Sequence, residues 1–224
     1  MPQLSVIIPV YNEAKTIAGI LEKVNALGVN KEIIVVDDGS TDGTDKILRG
    51  LRYDNLKIIH HTTNRGKGRA FLTGLSQAEG EFVIIQDADL EYEPRDCLRL
   101  LDAVIQNKAG LALGARFTKG YHGLFFHKIG NRLLTGLINV LFNARINDAC
   151  TCYKLMRKDT ADTLSLKEES FVIDMEIVTK ALRKKLKIIE VPVSYHPRGY
   201  SEGKKIRWKD AIFFTLVILK YRFS

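Results

Sequence analysis

Five short runs, Leu4–Val10, Lys31–Val36, Leu56–His60, Glu81–Ile85 and Leu111–Ala115, are apolar almost throughout, and amphipathic patterns separate them. Between the first two, Ile17, Ile20, Leu21 and Val24 repeat at helical spacing within Glu13–Leu27, and Gly28 marks the stop. Further helices are predicted from about Asp42, from Gly68 to Ala78, and from Pro94 to Gln106. Strands without a polar face must be covered on both sides. Strands that alternate with helices run parallel. The expected class is therefore α/β, with a mostly parallel, Rossmann-like sheet flanked by helices.

The second half is less regular. A Gly- and aromatic-containing loop at Thr118–Phe126 precedes a helix near His127–Phe142. Cys150–Met156 reads as a short strand, Ile173–Lys185 as a helix and Leu186–Tyr195 as a strand. Pro197–Lys205 is a basic loop, and the last helix spans Arg207–Arg222. No internal repeat or Pro/Ser-rich linker interrupts the 224 residues, so residues 1–224 are expected to form a single domain.

In a parallel sheet, ligands bind beyond the carboxyl ends of the strands. Pro9-Val10-Tyr11-Asn12-Glu13 closes the first strand, and Asp37-Asp38 the second. Asn64-Arg65-Gly66-Lys67-Gly68 follows the third, Asp87, Asp89 and Glu91 follow the fourth, and Arg116 closes the fifth. Three carboxylates where a buried strand runs out are costly unless a cation sits between them. Oxygen ligands point to Mg²⁺ or Mn²⁺, with Asp87, Asp89 and Glu91 as ligands and Asp89 bridging to a nucleoside diphosphate. Tyr11 is expected to stack on a base, Asp38 to accept from a base N–H, and Lys67 to offset phosphate charge. Asp37 caps its turn; the whole Asp37–Asp42 stretch also suits an Asx turn and a helix N-cap. No GxGxxG follows the first strand, and Gly66-Lys67-Gly68 lacks the spacing of a P-loop.

The order Ser5-Val-Ile-Ile-Pro-Val-Tyr-Asn-Glu13, Ile34-Val-Val-Asp-Asp-Gly-Ser40 and the DxD motif Asp87-Ala-Asp89 resembles the family 2 glycosyltransferases of the GT-A fold. Asn64–Gly68, Asp87–Glu91, Val191-Pro192 and Gly203-Lys-Lys-Ile206 are similar to the dolichol-phosphate mannose synthase and dolichyl-phosphate glucosyltransferase group. At Glu91 many mannose synthases have Gln. The resemblance implies an inverting transfer of mannose or glucose from a GDP- or UDP-sugar to a polyprenyl (dolichyl or undecaprenyl) phosphate. It makes residues 1–116 the nucleotide-sugar-binding half and 117–224 the acceptor half.

Under that resemblance Pro9 and Glu13 belong to the donor site, and Arg116 and Arg132 hold a phosphate. Arg198, Lys204 and Lys205 form a loop able to close over the diphosphate. A phosphate acceptor needs no general base. A sugar hydroxyl would, and Asp148, Asp174 or Glu176 are then the candidates, although Asp174 and Glu176 read better as structural or sugar-contacting. A saccharide acceptor in cell-surface polymer synthesis, and a nucleotide-sugar-binding protein without catalysis, are the alternative readings.

Thirty-four Lys and Arg against 26 acidic residues give a net charge of +8, which favours anionic partners. Nucleic acid is not expected, because the cations cluster beside carboxylates. Three cysteines without CxxC spacing suggest a reducing compartment. No apolar stretch reaches the roughly 20 residues of a membrane span. Cations bracket the apolar Ala211–Leu219, with Arg207-Trp208-Lys209 before it and Lys220-Tyr221-Arg222 after. That pattern, and Leu124-Phe125-Phe126, suit peripheral attachment at the cytoplasmic face of a membrane, directly or through a membrane-protein partner. The five histidines are scattered; His122 is the one candidate for lying near the acceptor.

Overall fold

The computed structural model describes residues 1–116, 125–199 and 210–224. Among these residues seven strands form one sheet: β1 (Leu4–Val10), β2 (Lys31–Asp37), β3 (Leu56–His60), β4 (Phe82–Ile85), β5 (Leu111–Ala115), β6 (Lys154–Arg157) and β7 (Ile188–Pro192). Their order is β3-β2-β1-β4-β6-β5-β7. β1 pairs in parallel with β2 and β4, β2 with β3, and β5 with β7. Only β6 runs the other way, antiparallel to both β4 and β5. The carboxyl ends of β1 to β5 therefore share one edge, as the strand pattern predicts.

Among the described residues eight helices cover the sheet: α1 (Ile17–Asn25), α2 (Thr44–Gly50), α3 (Lys67–Ser76), α4 (Asp96–Asn107), α5 (Phe125–Phe142), α6 (Lys158–Leu164), α7 (Ile173–Arg183) and α8 (Asp210–Phe223). Strand side chains alternate between two cores. Val6, Ile8 and Val10 pack with Ile20, Leu21 and Val24 of α1 and Leu100 and Val104 of α4. On the other face Ile7, Val83 and Ile85 meet Phe71 of α3, Ile138 of α5, Ile177 of α7 and Ile218 of α8.

Two elements start four residues later than expected. α1 begins at Ile17 and not at Glu13, because Asn12 has a positive φ of 53° and Glu13–Thr16 closes a turn onto the Glu13 carbonyl. The strand expected from Cys150 begins at Lys154, and α6 follows it unforeseen. Lys-Asp-Thr-Ala-Asp-Thr-Leu buries only Ala161 and Leu164, too few to print a helical period. The Gly-aromatic loop with His122, and Arg207-Trp208-Lys209, lie outside the described residues.

Candidate active site

A cleft of about 390 Å³ opens at the shared carboxyl edge. Pro9, Tyr11, Glu13, Asp38, Lys67, Asp87, Asp89, Glu91, Arg116 and Arg198 all line it. Ten of the residues singled out from the sequence thus meet in one place. Lys204 and Lys205 lie outside the described residues. Arg132 requires a correction. It lies on the exposed side of α5, while Asn131 lines the cleft. One residue along a helix turns a side chain by about 100°, so Arg132 does not share the cleft-lining face of Asn131.

Arg198 is the ionic centre of the rim. Its guanidinium meets Glu13 at 3.0 and 3.2 Å and Asp89 at 3.0 Å, while its backbone N–H donates to Glu91 at 2.8 Å. Glu91 also accepts the Tyr195 hydroxyl at 2.7 Å. It therefore tethers the segment after β7 to the cleft. The expected three-carboxylate metal hook is not assembled as such. Among the described residues no three Asp, Glu, His or Cys side chains form a metal-ligand group. Glu91 is committed to Tyr195 and Arg198, and Asp87 turns to the Lys67 ammonium at 2.7 Å.

Asp38 is also used differently. Its carboxylate accepts the backbone N–H groups of Arg65 (3.0 Å) and Gly66 (2.7 Å) and faces His61 Nδ1 at 2.7 Å. It shapes the Asn64–Gly68 loop that places Lys67. Asp37 accepts the Ser40 N–H at 3.1 Å, the turn cap expected of it. The glycines of that loop are required. Gly66 has a φ of +97°, and a Cβ there would stand 2.5 Å from the Glu169 carbonyl oxygen.

In the cleft wall, Asp174 lies 3.5 Å from Lys67 and 3.1 Å from Lys154, a lysine with no exposed surface. Sequence reasoning passed over Lys154, because a lysine in an apolar strand shows no partner until the fold supplies one. Burial pushes the Asp174 carboxyl up, but the Lys154 and Lys67 ammoniums outweigh it and hold it below its ordinary range. Glu176, fully buried, accepts the Lys167 and Glu168 N–H groups and the Tyr221 hydroxyl, a structural role. Arg116 grips Asp148 through Nε (2.7 Å) and Nη2 (2.8 Å), and its guanidinium lies 5.2 Å from the Tyr195 ring centre. Asp148 is thereby spoken for as an ion-pair partner.

Leu90, between Asp89 and Glu91, has a φ of +61°. Such a conformation is strained for a branched side chain and persists where the surroundings impose it. It lets Asp89 point towards Arg198 while Glu91 reaches Tyr195. Burial, then the charges of Asp87 and Glu91, push the Asp89 carboxyl up to about 7; Arg198 offsets only part. In the unfolded chain the same group titrates near about 3.9. The folded chain thus keeps this proton to higher pH. Its contribution to stability is full below about pH 4 and is lost as pH rises through about 7. Asp89→Asn should therefore gain in denaturant midpoint over the wild-type chain between about pH 5 and about pH 8. A constant difference across that range would contradict the assignment.

A family model described as Glycosyl transferase family 2 matches residues 5–164. The chain is 33% identical over 211 residues to a dolichol-phosphate mannosyltransferase of Pyrococcus furiosus, covering 90% of this chain and 59% of that protein. It is 29% identical over 226 residues to the polyprenol monophosphomannose synthase of Mycolicibacterium smegmatis, covering 93% and 83%. The chain thus spans under two thirds of the length of the first relative. Glucosyl-3-phosphoglycerate synthase from Mycobacterium tuberculosis, solved with Mn²⁺, UDP and phosphoglyceric acid, superposes with a TM-score of 0.76 at 17% identity, over 99% of this chain and 79% of that one. At that identity the likeness carries the fold alone.

Proposed function

The chain belongs to glycosyl transferase family 2 and has the GT-A fold, and from that premise we propose that it transfers a hexose from a GDP- or UDP-sugar to a polyprenyl phosphate. One observation carries the reading: a single cleft at the strand ends sets the carboxylates Asp87 and Asp89 against the cations Lys67 and Arg198. Uncharged ligands would leave that pairing idle. A diphosphate with a divalent cation uses both signs.

Asp89, with Asp87 beside it, fits Mg²⁺ or Mn²⁺: the donors are carboxylate oxygens, and burial, then the neighbouring carboxylates, push Asp89 up. Such an ion, when bound, neutralises charge on the departing nucleoside diphosphate. Lys67 and Arg198 line the cleft where they would face the phosphates, and Tyr11 lines the wall where a base would stack. A phosphate monoester has its second pKa near about 6, so it reaches the cleft as a ready nucleophile at neutral pH. It attacks the anomeric carbon opposite the leaving group, which inverts the centre. Asp174, held ionised between two lysines, needs to carry no proton for this.

The acceptor's lipid tail suits the apolar surface beside the cleft. Phe214 lines the cleft, while Ile212, Phe213 and Leu216 of α8 and Leu133 and Val140 of α5 are exposed. Lys220 and Arg222 end the same helix. Among the described residues no helix is long and apolar enough to cross a membrane. We propose attachment at a bilayer surface, on its cytoplasmic face, by these two helices, alone or with a membrane-protein partner.

The test is a calorimetric screen of GDP-mannose and UDP-glucose with Mn²⁺, then transfer of labelled sugar to polyprenyl phosphate in vesicles or to free saccharides. Transfer to the lipid phosphate is expected. Transfer only to saccharides would reassign the acceptor, and donor binding without turnover would remove catalysis from the proposal.

A further inference from the structure

Four charged groups alternate in sign from the buried side of the sheet to the cleft: Lys154 on β6, Asp174 on α7, Lys67 at the start of α3, and Asp87 after β4. Lys154 Nζ stands 3.1 Å from Asp174 Oδ1 and also donates to the Thr151 carbonyl. Lys67 Nζ stands 3.5 Å from Asp174 Oδ2 and 2.7 Å from Asp87 Oδ1. Lys67, Asp87 and Asp174 line the cleft; Lys154 does not, and it has no exposed surface. A lysine so placed cannot touch a ligand, yet a buried ion pair with no task would be replaceable as a pair by apolar residues at little cost.

The unequal distances identify the task. Lys67 lies nearer to Asp87 than to Asp174, although both carboxylates are within reach. Asp174 shares its charge with Lys154, so its claim on Lys67 is weakened. Remove Lys154, and Asp174 becomes a buried carboxylate whose remaining counter-ion is Lys67. The Lys67 ammonium is then drawn back from the cleft. Asp87 loses its cation beside Asp89 and Glu91, and an entering diphosphate meets less positive charge.

We propose that Lys154 is a positioning residue for donor binding: by occupying one oxygen of Asp174, it holds Lys67 forward at Asp87 and facing the cleft. The inference rests on the nucleotide-donor reading of that cleft. It also makes Asp174 a balance point between two lysines, with no role as a proton acceptor.

Binding of GDP and of UDP with Mn²⁺, measured by calorimetry on the folded chain, tests it. Whichever nucleotide the wild-type chain takes up, Lys154→Met should bind it about tenfold more weakly. The pair Lys154→Met with Asp174→Asn should return to within about threefold of wild type, because a neutral residue 174 no longer draws Lys67 back. A purely structural lysine would give no such rescue. Unchanged binding in folded Lys154→Met, or a double variant as weak as the single one, overturns the proposal. Should Lys154→Met fail to fold, the double variant decides alone, since it leaves neither member of the buried pair charged. Near wild-type affinity supports the proposal, and lost affinity in the folded double variant refutes it. A wild-type chain that binds neither nucleotide removes the donor reading, and this inference with it.

Discussion

Replacing Asp89 with asparagine is expected to lower hexose transfer by about a hundred- to a thousandfold while leaving the chain better folded at neutral pH. The two effects share one cause. Asp89 is half-buried between Asp87 and Glu91, where its negative charge is costly without a bound cation and useful with one. Asparagine removes the repulsion and, with it, the strongest electrostatic attraction for a divalent ion. Gains in stability at the expense of activity are characteristic of functional groups held in unfavourable surroundings. Initial rates with saturating donor and Mn²⁺, compared with melting temperature at about pH 8, check both halves. An Asp89→Asn chain that transfers sugar at the wild-type rate, or wild-type transfer that survives excess chelator, would take the cation out of the proposal.

Arg116→Ala should cost about 3–5 kcal/mol of folding stability, because it strands the Asp148 carboxylate in a site with no solvent exposure. The arginine donates twice through its side chain and once through its backbone N–H, at 3.1 Å, to that one residue. Urea denaturation measures the loss, and a variant as stable as wild type would show the pair to be dispensable. Pairing Arg116→Met with Asp148→Asn should recover much of it, since neither group is then left charged and alone. Transfer by that recovered variant separates the two roles of Arg116. Activity near wild type makes it a pillar of the cleft wall; activity lost in a stable protein adds direct contact with a phosphate, the role its family resemblance implies.

Much of the frame was readable in advance. The bounds of β1, β3 and β5 coincide with their apolar runs; β1 and β5 are buried almost throughout, so nothing exposed blurs their ends, while the edge strand β3 leaves Lys57 and His60 exposed. The shared edge of five strand ends followed from parallel pairing, and ten expected residues do line the cleft there. What pattern could not supply were partners from distant segments. Glu91 looked like a metal ligand until Tyr195 and Arg198, more than a hundred residues on, closed over it. Asp38 looked available to a base until the Arg65 and Gly66 amides folded onto it. Lys154 had no legible purpose, since its counter-ion lies twenty positions away on another element. Local spacing reports which face a side chain takes, and the chemistry of a carboxylate depends on who arrives opposite.

The reversed direction of β6 has a geometric consequence. The strand is wedged between β4 and β5, so two inter-strand spacings, together about 10 Å, separate the acidic tip of one from the arginine tip of the other. Direct pairing of those neighbours would halve the opening. The gauge of the entrance is therefore dictated by main-chain pairing and is indifferent to the amino acids that decorate it. On the proposed reading, changes in rim side chains would alter which sugar or lipid is preferred while the span between leaving and attacking groups stays constant.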